Sequence, residues 1–281
     1  MKVAVRGDAV DAVEAACREA AEEHDLPPGL DVQTVDATGG DTPVAADLLV
    51  VAGETGRSSL ATTPSAVPRL PTLSVDGPGP LSVPRSRLAG AVAAHARGDT
   101  WTAPHPVLEA IVDGERAGSA VADVSLMTAE PARISEYAVA IGVGDAGTRG
   151  GTDAGSVNAN GNGTGIGEGT PAPPPTGGAP VRLDSFRADG VVVATPLGSA
   201  GYARDAGGPI VAPGTGLAVV PVAPFATDSD AYVVRPDVTL SVERDDTDVV
   251  LLVDDREART VRPDEPVRVS PAATFPLVHV P

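Results

Sequence analysis

The sequence has 281 residues, enough for one large domain or two ordinary ones with a substantial buried core. Its formal net charge of −18 argues against nucleic acid as a partner, because a phosphate backbone requires a basic surface. Lys2 is the only lysine, and an acidic chain almost without lysine is typical of very salty cytoplasm, where the Debye length falls to about 3 Å. We therefore expect an extremely halophilic host.

The single cysteine, Cys17, excludes an internal disulfide framework and is consistent with a reducing compartment. The chain contains no apolar run close to the roughly 20 residues that cross a bilayer. Its first residues, 1–6, have the pattern of a strand rather than of a signal peptide. The sequence thus predicts a soluble cytoplasmic protein without a membrane partner.

The first hundred residues alternate strand and helix patterns. Strands are predicted at residues 2–5, 32–35, 47–52 and 72–75, and helices at 9–24 and 86–97. This order predicts a small α/β domain over residues 1–100 with a parallel sheet. The third strand ends at a predicted turn, residues 53–56, and open α/β sheets bind their ligands at such strand ends.

From Trp101 onward the pattern changes to short apolar runs separated by turns. Strands are predicted at residues 107–112, 117–126, 134–141, 190–194, 217–222, 238–243 and 249–253. Regular short strands of this kind predict an all-β two-sheet sandwich over residues 101–281.

Residues 144–180 interrupt this second domain. They contain 12 glycines, 5 prolines and no aromatic residue, so they cannot bury enough apolar surface to offset the entropy of ordering them. We predict a disordered insertion between two strands. A glycine-rich phosphate loop is disfavoured, because no strand leads into the segment and no lysine lies in it.

The segment from Asp189 to Tyr202 carries the strongest chemical signal. An apolar strand ends at Ala194 and meets the turn Thr195-Pro196-Leu197-Gly198-Ser199, and residues 207–211 follow with the sequence Gly-Gly-Pro-Ile-Val. Such a turn offers hydroxyls and free amides to ribose and phosphate oxygens, and Gly198 permits close backbone approach. A strand–turn–helix junction without a ligand would explain the turn alone.

Together, these two blocks resemble the NAD kinase family, whose members carry D-G-(apolar)-T-P-T-G-S-T-A-Y and then G-G-P-I-V. Weaker similarity extends over most of the chain outside the insertion, including residues 71–76, 106–124 and 221–224. The resemblance implies an NAD site lined by Asp189, Thr195, Gly198, Ser199 and Tyr202, with Asp189 toward the nicotinamide.

Asp123 matches the acidic residue of the family's N-D/E pair, which holds the ribose of the adenosine. The asparagine of that pair is replaced by Ala122. Ala200 and Gly201 stand where the family has Thr-Ala, and Asp254-Asp255-Arg256 stands where it has D-G-Q.

The amino-terminal turn departs most from the family. NAD kinases carry G-G-D-G-T, whose aspartate deprotonates the ribose 2′-hydroxyl, whereas this chain has Glu54 within Ala52-Gly53-Glu54-Thr55-Gly56. Glu54 remains a carboxylate but is one methylene longer, which moves its tip by roughly 1.5 Å. The resemblance implies Glu54 as the base and phosphate contacts from Gly53, Gly56 and Arg57. The alternative for Glu54 is a solvated turn residue. The alternative for Arg57 is an ion pair with a neighbouring carboxylate.

The function implied is ATP-dependent phosphorylation of NAD to NADP, with Mg²⁺ accompanying ATP, by a homodimer or homotetramer. The altered residues leave an alternative, an NAD- or NADP-binding sensor or subunit partner without catalysis. A lipid kinase is a weaker alternative, because such enzymes lack the Thr-Pro-x-Gly-Ser block. The four histidines show no metal-ligand spacing, so no metal site of the protein's own is predicted.

Overall fold

The computed structural model describes residues 1–23, 31–35, 46–61, 69–130, 133–142, 180–227, 229–244, 247–263 and 265–281. Within these ranges the chain forms two sheets with sixteen strands and four α-helices. None of the helices in the described ranges is long and apolar enough to cross a bilayer. The predicted insertion lies almost entirely outside the described residues.

The amino-terminal elements follow the predicted β-α-β-β-β-α order, with one additional short helix. They are β1 (Lys2–Gly7), α1 (Val10–Glu23), β2 (Asp31–Thr34), β3 (Leu48–Ala52), α2 (Gly53–Ser58), β4 (Thr72–Val75) and α3 (Leu88–Arg97). The strands pair in the order β2-β1-β3-β4, all parallel. Every residue of β3 is buried, as expected for a parallel strand covered on both faces.

The two faces of this parallel sheet have separate cores. Val13 and Cys17 of α1 and Leu88 and Val92 of α3 pack with Val3, Val5, Leu48 and Val50 on one face. On the other face Leu49 and Val51 pack against Leu60, which follows α2, and against residues from the second half of the chain. The sheet is therefore the middle layer of the amino-terminal half.

Strands predominate among the described residues of the second half of the chain. Its elements are β5 (Trp101–Val112), β6 (Glu115–Ala120), β7 (Asp123–Thr128), β8 (Ser135–Ile141), β9 (Val181–Ala188), β10 (Gly190–Ala194), α4 (Tyr202–Asp205), β11 (Leu217–Val222), β12 (Tyr232–Val234), β13 (Val238–Val242), β14 (Val249–Val253), β15 (Arg256–Val261) and β16 (Val267–His279). An antiparallel sheet has the order β12-β11-β10-β7-β14-β15. It packs on β5, β6, β8, β9, β13 and β16, so the predicted two-sheet sandwich is confirmed.

Strand β16 connects the two halves. It pairs with β5 from end to end, contacts β13, and meets β4 where Leu277 lies beside Thr72. The parallel sheet and one sheet of the sandwich therefore form one ten-stranded sheet. Phe275 and Leu277 of β16 share a core cluster with Ala4 and Leu49. The domain boundary near residue 100 stays a prediction. Strand β16 pairs with β4 before that boundary and with β5 after it.

One predicted strand, residues 117–126, is wrong as a continuous element. The chain leaves β6 after Ala120 and starts β7 at Asp123, with Val121 and Ala122 outside both strands. The amides of residues 121–123 bond to the Asp254 carboxylate rather than to a neighbouring strand, so the ladder stops there.

The substitution Phe275→Ala tests whether β16 holds the halves together. Phe275 is fully buried against His105, with ring centroids 5.1 Å apart, so truncation should lower the free energy of unfolding by about 3–5 kcal/mol. Phe225 is 69% exposed, and Phe225→Ala should cost under about 1 kcal/mol. Urea unfolding in multimolar KCl measures both, and equal losses would contradict this role for β16.

Candidate functional site

The carboxyl ends of β1, β3 and β4 lie beside turns of the second half of the chain, and we call this junction the cleft. The loop after β4 contacts the turn after β10. A side chain at Gly79 would collide with the Ala200 methyl group, and Gly201 lies against Pro78. This close approach brings α2, which follows β3, near the sandwich residues predicted to bind NAD.

Helix α2 occupies the position predicted to be a turn, so that prediction is wrong. Gly53 begins the helix at a φ of 66°, with the Asp8 carboxylate in the space a side chain would fill. Gly56 is buried against the backbone of Arg6 and Gly7, where no larger residue fits. Glu54 is exposed on the first turn of this helix. The two glycines therefore fix the path of the backbone on either side of the exposed Glu54.

Arg57 is half-buried, and its guanidinium group packs against Gly77. Its Nη1 atom is buried, and no described residue provides it with a hydrogen-bond partner. Desolvation lowers the pKa of Arg57, while the negative charges of Glu54, Asp254, Asp8 and Asp255 oppose that effect. The Arg57 cation thus lies among carboxylates from both halves of the chain.

Residues 121–123 are held by the carboxylate of Asp254, in the turn between β14 and β15. Val121 N–H donates to Oδ2 at 2.9 Å, and the N–H groups of Ala122 and Asp123 donate to Oδ1 at 2.8 and 3.2 Å. The Asp254 N–H donates in return to the Asp123 carbonyl at 3.0 Å. This reciprocal arrangement fixes the backbone that carries Asp123.

Thr195 joins the turn after β10 to the same segment. Its N–H donates to the Ala122 carbonyl at 2.8 Å and its hydroxyl to the Val121 carbonyl at 2.7 Å. A side chain at Gly198 would collide with the Ala122 carbonyl oxygen. The Gly198 amide donates back to the Thr195 hydroxyl at 3.2 Å. Both residues therefore set the shape of the turn and its contact with residues 121–123.

Ser199 is fully buried and has a similar structural position. Its hydroxyl donates to the Pro196 carbonyl at 2.8 Å and accepts from the Val211 N–H at 2.9 Å. The hydroxyls of Thr195 and Ser199 are thus already bonded to main-chain groups. They bring together the two sequence blocks, residues 189–202 and 207–211.

Asp123 is the exception, because its carboxyl group has no hydrogen-bond donor among the described residues although only 7% of the residue is exposed. Desolvation, with the nearby charges of Asp254 and Asp255, raises the pKa of Asp123 to about 7. Desolvation also raises the pKa of Asp254, but its three N–H donors stabilise the charged form. Of these two carboxyl groups, Asp123 is therefore the one that binds a proton more readily.

Tyr202 and Asp189 lie on the same side as Asp123. Tyr202, at the start of α4, is 42% exposed. Desolvation raises the pKa of its phenol, and the charges of Asp189, Asp123 and Asp255 act in the same direction. Asp189 is half-buried just before β10, and its main chain bonds Thr128 and Val222. Through these electrostatic contacts the predicted residues form one group around Asp254 and Asp255.

Three acidic residues of this group were missed as site residues in the sequence. Asp8 follows β1 directly, and Asp254 and Asp255 form the tight turn between β14 and β15, with φ values of 47° and 61°. The sequence feature that could have identified them is their position, because each is an acidic residue that follows the end of a strand. Among the described residues, no cluster of His, Cys, Asp and Glu is arranged to hold a metal ion.

A separate cavity of about 530 Å³ lies away from this group. Residues 80–87, helix α3, residues 278–281 and two residues of α1 line it. It contains none of the predicted site residues. The candidate site is instead the cleft between α2, residues 121–123 and the turn after β10.

Comparison with known sequences identifies relatives. Residues 180–279 match the ATP-NAD kinase C-terminal domain. An NAD kinase of Methanosarcina barkeri is 28% identical over 176 residues, 62% of this chain and 50% of that protein. An NAD kinase of Methanosarcina acetivorans is 42% identical over 90 residues, 31% of this chain and 33% of that protein. The matched segments thus span half or less of these relatives.

Two solved structures share the fold over the whole chain. An NAD kinase from Archaeoglobus fulgidus in complex with ATP has a TM-score of 0.61 at 19% identity, covering 100% of this chain and 94% of that one. Yeast NADH kinase complexed with NADH has a TM-score of 0.63 at 18% identity, covering 100% and 84%. The predicted combination of an α/β domain and a sandwich is therefore confirmed.

The substitution Asp123→Asn tests the raised pKa of the buried Asp123 carboxyl group and needs no ligand. Because folding raises the pKa of Asp123 above its unfolded value, its contribution to stability is complete below about pH 4 and declines as pH rises toward 7. Asparagine resembles the neutral form, so the variant should gain stability over the native chain by about 1.4 kcal/mol per pH unit between pH 5 and 7.

Denaturant unfolding at several pH values measures this difference. Asp113→Asn is the control for the same substitution at an exposed position, because Asp113 is exposed in the turn between β5 and β6. The control should show no such pH dependence. A constant or inverted difference for Asp123→Asn would contradict the assignment of the proton.

Proposed function

We propose that this chain, which belongs to the NAD kinase family, transfers the γ-phosphoryl group of ATP to the adenosine ribose 2′-hydroxyl of NAD. The observation that carries the proposal is the buried Asp123 carboxyl group, to which no described residue donates a hydrogen bond. Burying such a group is unfavourable unless a partner is supplied. Ribose hydroxyls are donors of the required kind.

Glu54 is the proposed base. Its carboxylate takes the proton of the 2′-hydroxyl while that oxygen attacks the γ-phosphorus. The bond from the γ-phosphorus to the bridging oxygen breaks, and ADP leaves with the electron pair. The exposure of Glu54 on α2 supports this role, because a base must reach the proton it removes. Mg²⁺ enters with ATP as part of the substrate.

Arg57 is the proposed phosphate contact, with Gly53 and Gly56 shaping the backbone beside it. The cleft carries several carboxylates, so a triphosphate needs local positive charge to enter it. The buried Nη1 donor of Arg57 has no partner in the described part of the chain, and a phosphate oxygen would satisfy it.

The remaining predicted residues are proposed to form the NAD side of the cleft. Tyr202 and Asp189 line the nicotinamide half. Thr195, Gly198 and Ser199 hold the turn in the shape that receives the dinucleotide. We further propose a homodimer or homotetramer in the cytoplasm of a halophile, for which the acidic composition is the support.

A second candidate function is nucleotide binding without catalysis. It is favoured by Ala122, whose methyl group replaces the amide that the family resemblance leads us to expect beside Asp123. Its main-chain groups are already bonded to Thr195 and Asp254. In this case NAD or NADP would bind to the same cleft with no turnover.

NADP formation from NAD, ATP and Mg²⁺ at multimolar KCl distinguishes the two functions. Glu54→Gln removes the base while keeping the side-chain length, and should lower kcat by about 100-fold or more. Glu54→Asp is the matched control, because it restores the family's shorter carboxylate and should retain activity within about tenfold of the native chain.

Two outcomes would contradict the kinase proposal in different ways. Turnover by Glu54→Gln at the native rate would exclude Glu54 as the base. Saturable NAD binding without any turnover by the native chain or Glu54→Asp would identify a nucleotide-binding protein.

A further inference from the structure

Both oxygens of the Asp254 carboxylate are bonded to the main chain. Only 5% of the residue is exposed, and its two oxygens accept three consecutive main-chain N–H groups, those of residues 121–123. These bonds replace the strand pairing that β6 and β7 lose between them. Asp254 stands 131 residues after Asp123 in the sequence, so folding alone brings them together.

We propose that Asp254 is a positioning residue, whose carboxylate clamps residues 121–123 and thereby holds the unpartnered Asp123 carboxyl group in the orientation that accepts a ribose hydroxyl. The inference rests on the proposed function, which identifies the bound hydroxyl as that of a ribose. The clamp itself rests on the hydrogen bonds alone.

The clamp is a feature of Asp254 and not of its acidic neighbour. Asp255 is exposed and makes no hydrogen bond to residues 121–123. Both carboxylates lie near enough to Asp123 for their charge to act on it. Asp255 therefore offers a comparison in which one charge is removed and every main-chain bond is kept.

The titratable groups near Asp123 come from the turn between β14 and β15 and from α4, α2 and β15. Asp254 and Asp255 belong to the turn between β14 and β15, and the Tyr202 phenol belongs to α4. Arg57 of α2 interacts with Asp254 and Asp255, and Arg256 also acts on Asp254. Because Asp254 is ionised in the clamp, its removal should make Asp123 easier to ionise.

Asp254→Asn separates this role from simple packing. The amide keeps the side-chain size, but one of its ends carries N–H donors and cannot accept from the main chain. At least one clamp bond is lost together with the charge. The same substitution at Asp113, in the β5–β6 turn, is the control for placing asparagine at a positive φ.

The first measurement is a carboxyl ¹³C NMR titration of Asp123 in the ligand-free protein, assigned with Asp123→Asn. The midpoint is expected near 7 in the native chain, about one pH unit lower in Asp254→Asn, and unchanged in Asp113→Asn. Asp255→Asn should lower it less. An unchanged midpoint in Asp254→Asn would overturn the proposal.

The second measurement is the affinity for NAD by calorimetry at neutral pH. Asp254→Asn should weaken binding by about tenfold, whereas Asp113→Asn should bind as the native chain does. Native affinity in Asp254→Asn would overturn the positioning role. If the native chain binds no NAD while the titration shift is present, the proposed function fails and the clamp stands.

Hydrogen exchange in the native protein keeps the proposal testable if Asp254→Asn does not fold. The amides of residues 121–123 should exchange at least about 100-fold more slowly than the exposed amide of Asp113. Exchange as fast as that of Asp113 would show that the clamp does not persist in solution, and would overturn the proposal.

Discussion

Six main-chain polar groups of residues 121–123 determine how the candidate site is built. Their three N–H groups donate to Asp254, and their three carbonyls accept from Thr195, His105 and the Asp254 amide. A buried backbone group without a partner is strongly unfavourable, so this short segment fits in one conformation only. The turn after β10, the turn between β14 and β15, and β7 are positioned by it.

This rigid segment explains why the polar side chains nearby divide into two kinds. The hydroxyls of Thr195 and Ser199 are hydrogen-bonded to main-chain groups, so these residues maintain the shape of the cleft. Asp123 and Arg57 keep polar atoms that no described residue satisfies, one acidic and one basic. A ligand with both hydroxyl donors and phosphate acceptors would satisfy both. A nucleotide has this combination, which is why the cleft is more informative than the separate cavity beside α3.

The sequence predicted best the strands that are continuous apolar runs. Residues 190–194, 217–222 and 249–253 match β10, β11 and β14, since such runs favour a position in a core. Strand β15 was missed because four of its six residues are exposed. Strand β16 was missed because Pro271 and Pro276 interrupt its pattern, and its partner β5 lies far away in the chain.

The roles of the candidate site residues stay predictions. Local motifs indicated Glu54, Asp123, Asp189, Thr195 and Tyr202, because each follows or precedes a recognisable strand or turn. The interaction of Asp254 with residues 121–123 depends on a contact across 131 to 133 positions, which no local pattern contains. The hydrogen bond from the Val211 N–H to the Ser199 hydroxyl likewise could not be predicted from the sequence.

We propose that NAD binds between α2, residues 121–123 and the turn after β10. Amide hydrogen exchange with and without saturating NAD, in multimolar KCl, can locate this binding site. We expect exchange to slow on binding at residues 53–57, 121–123 and 195–202. Protection confined to residues 80–91 and 278–281, which line the separate cavity, would contradict it.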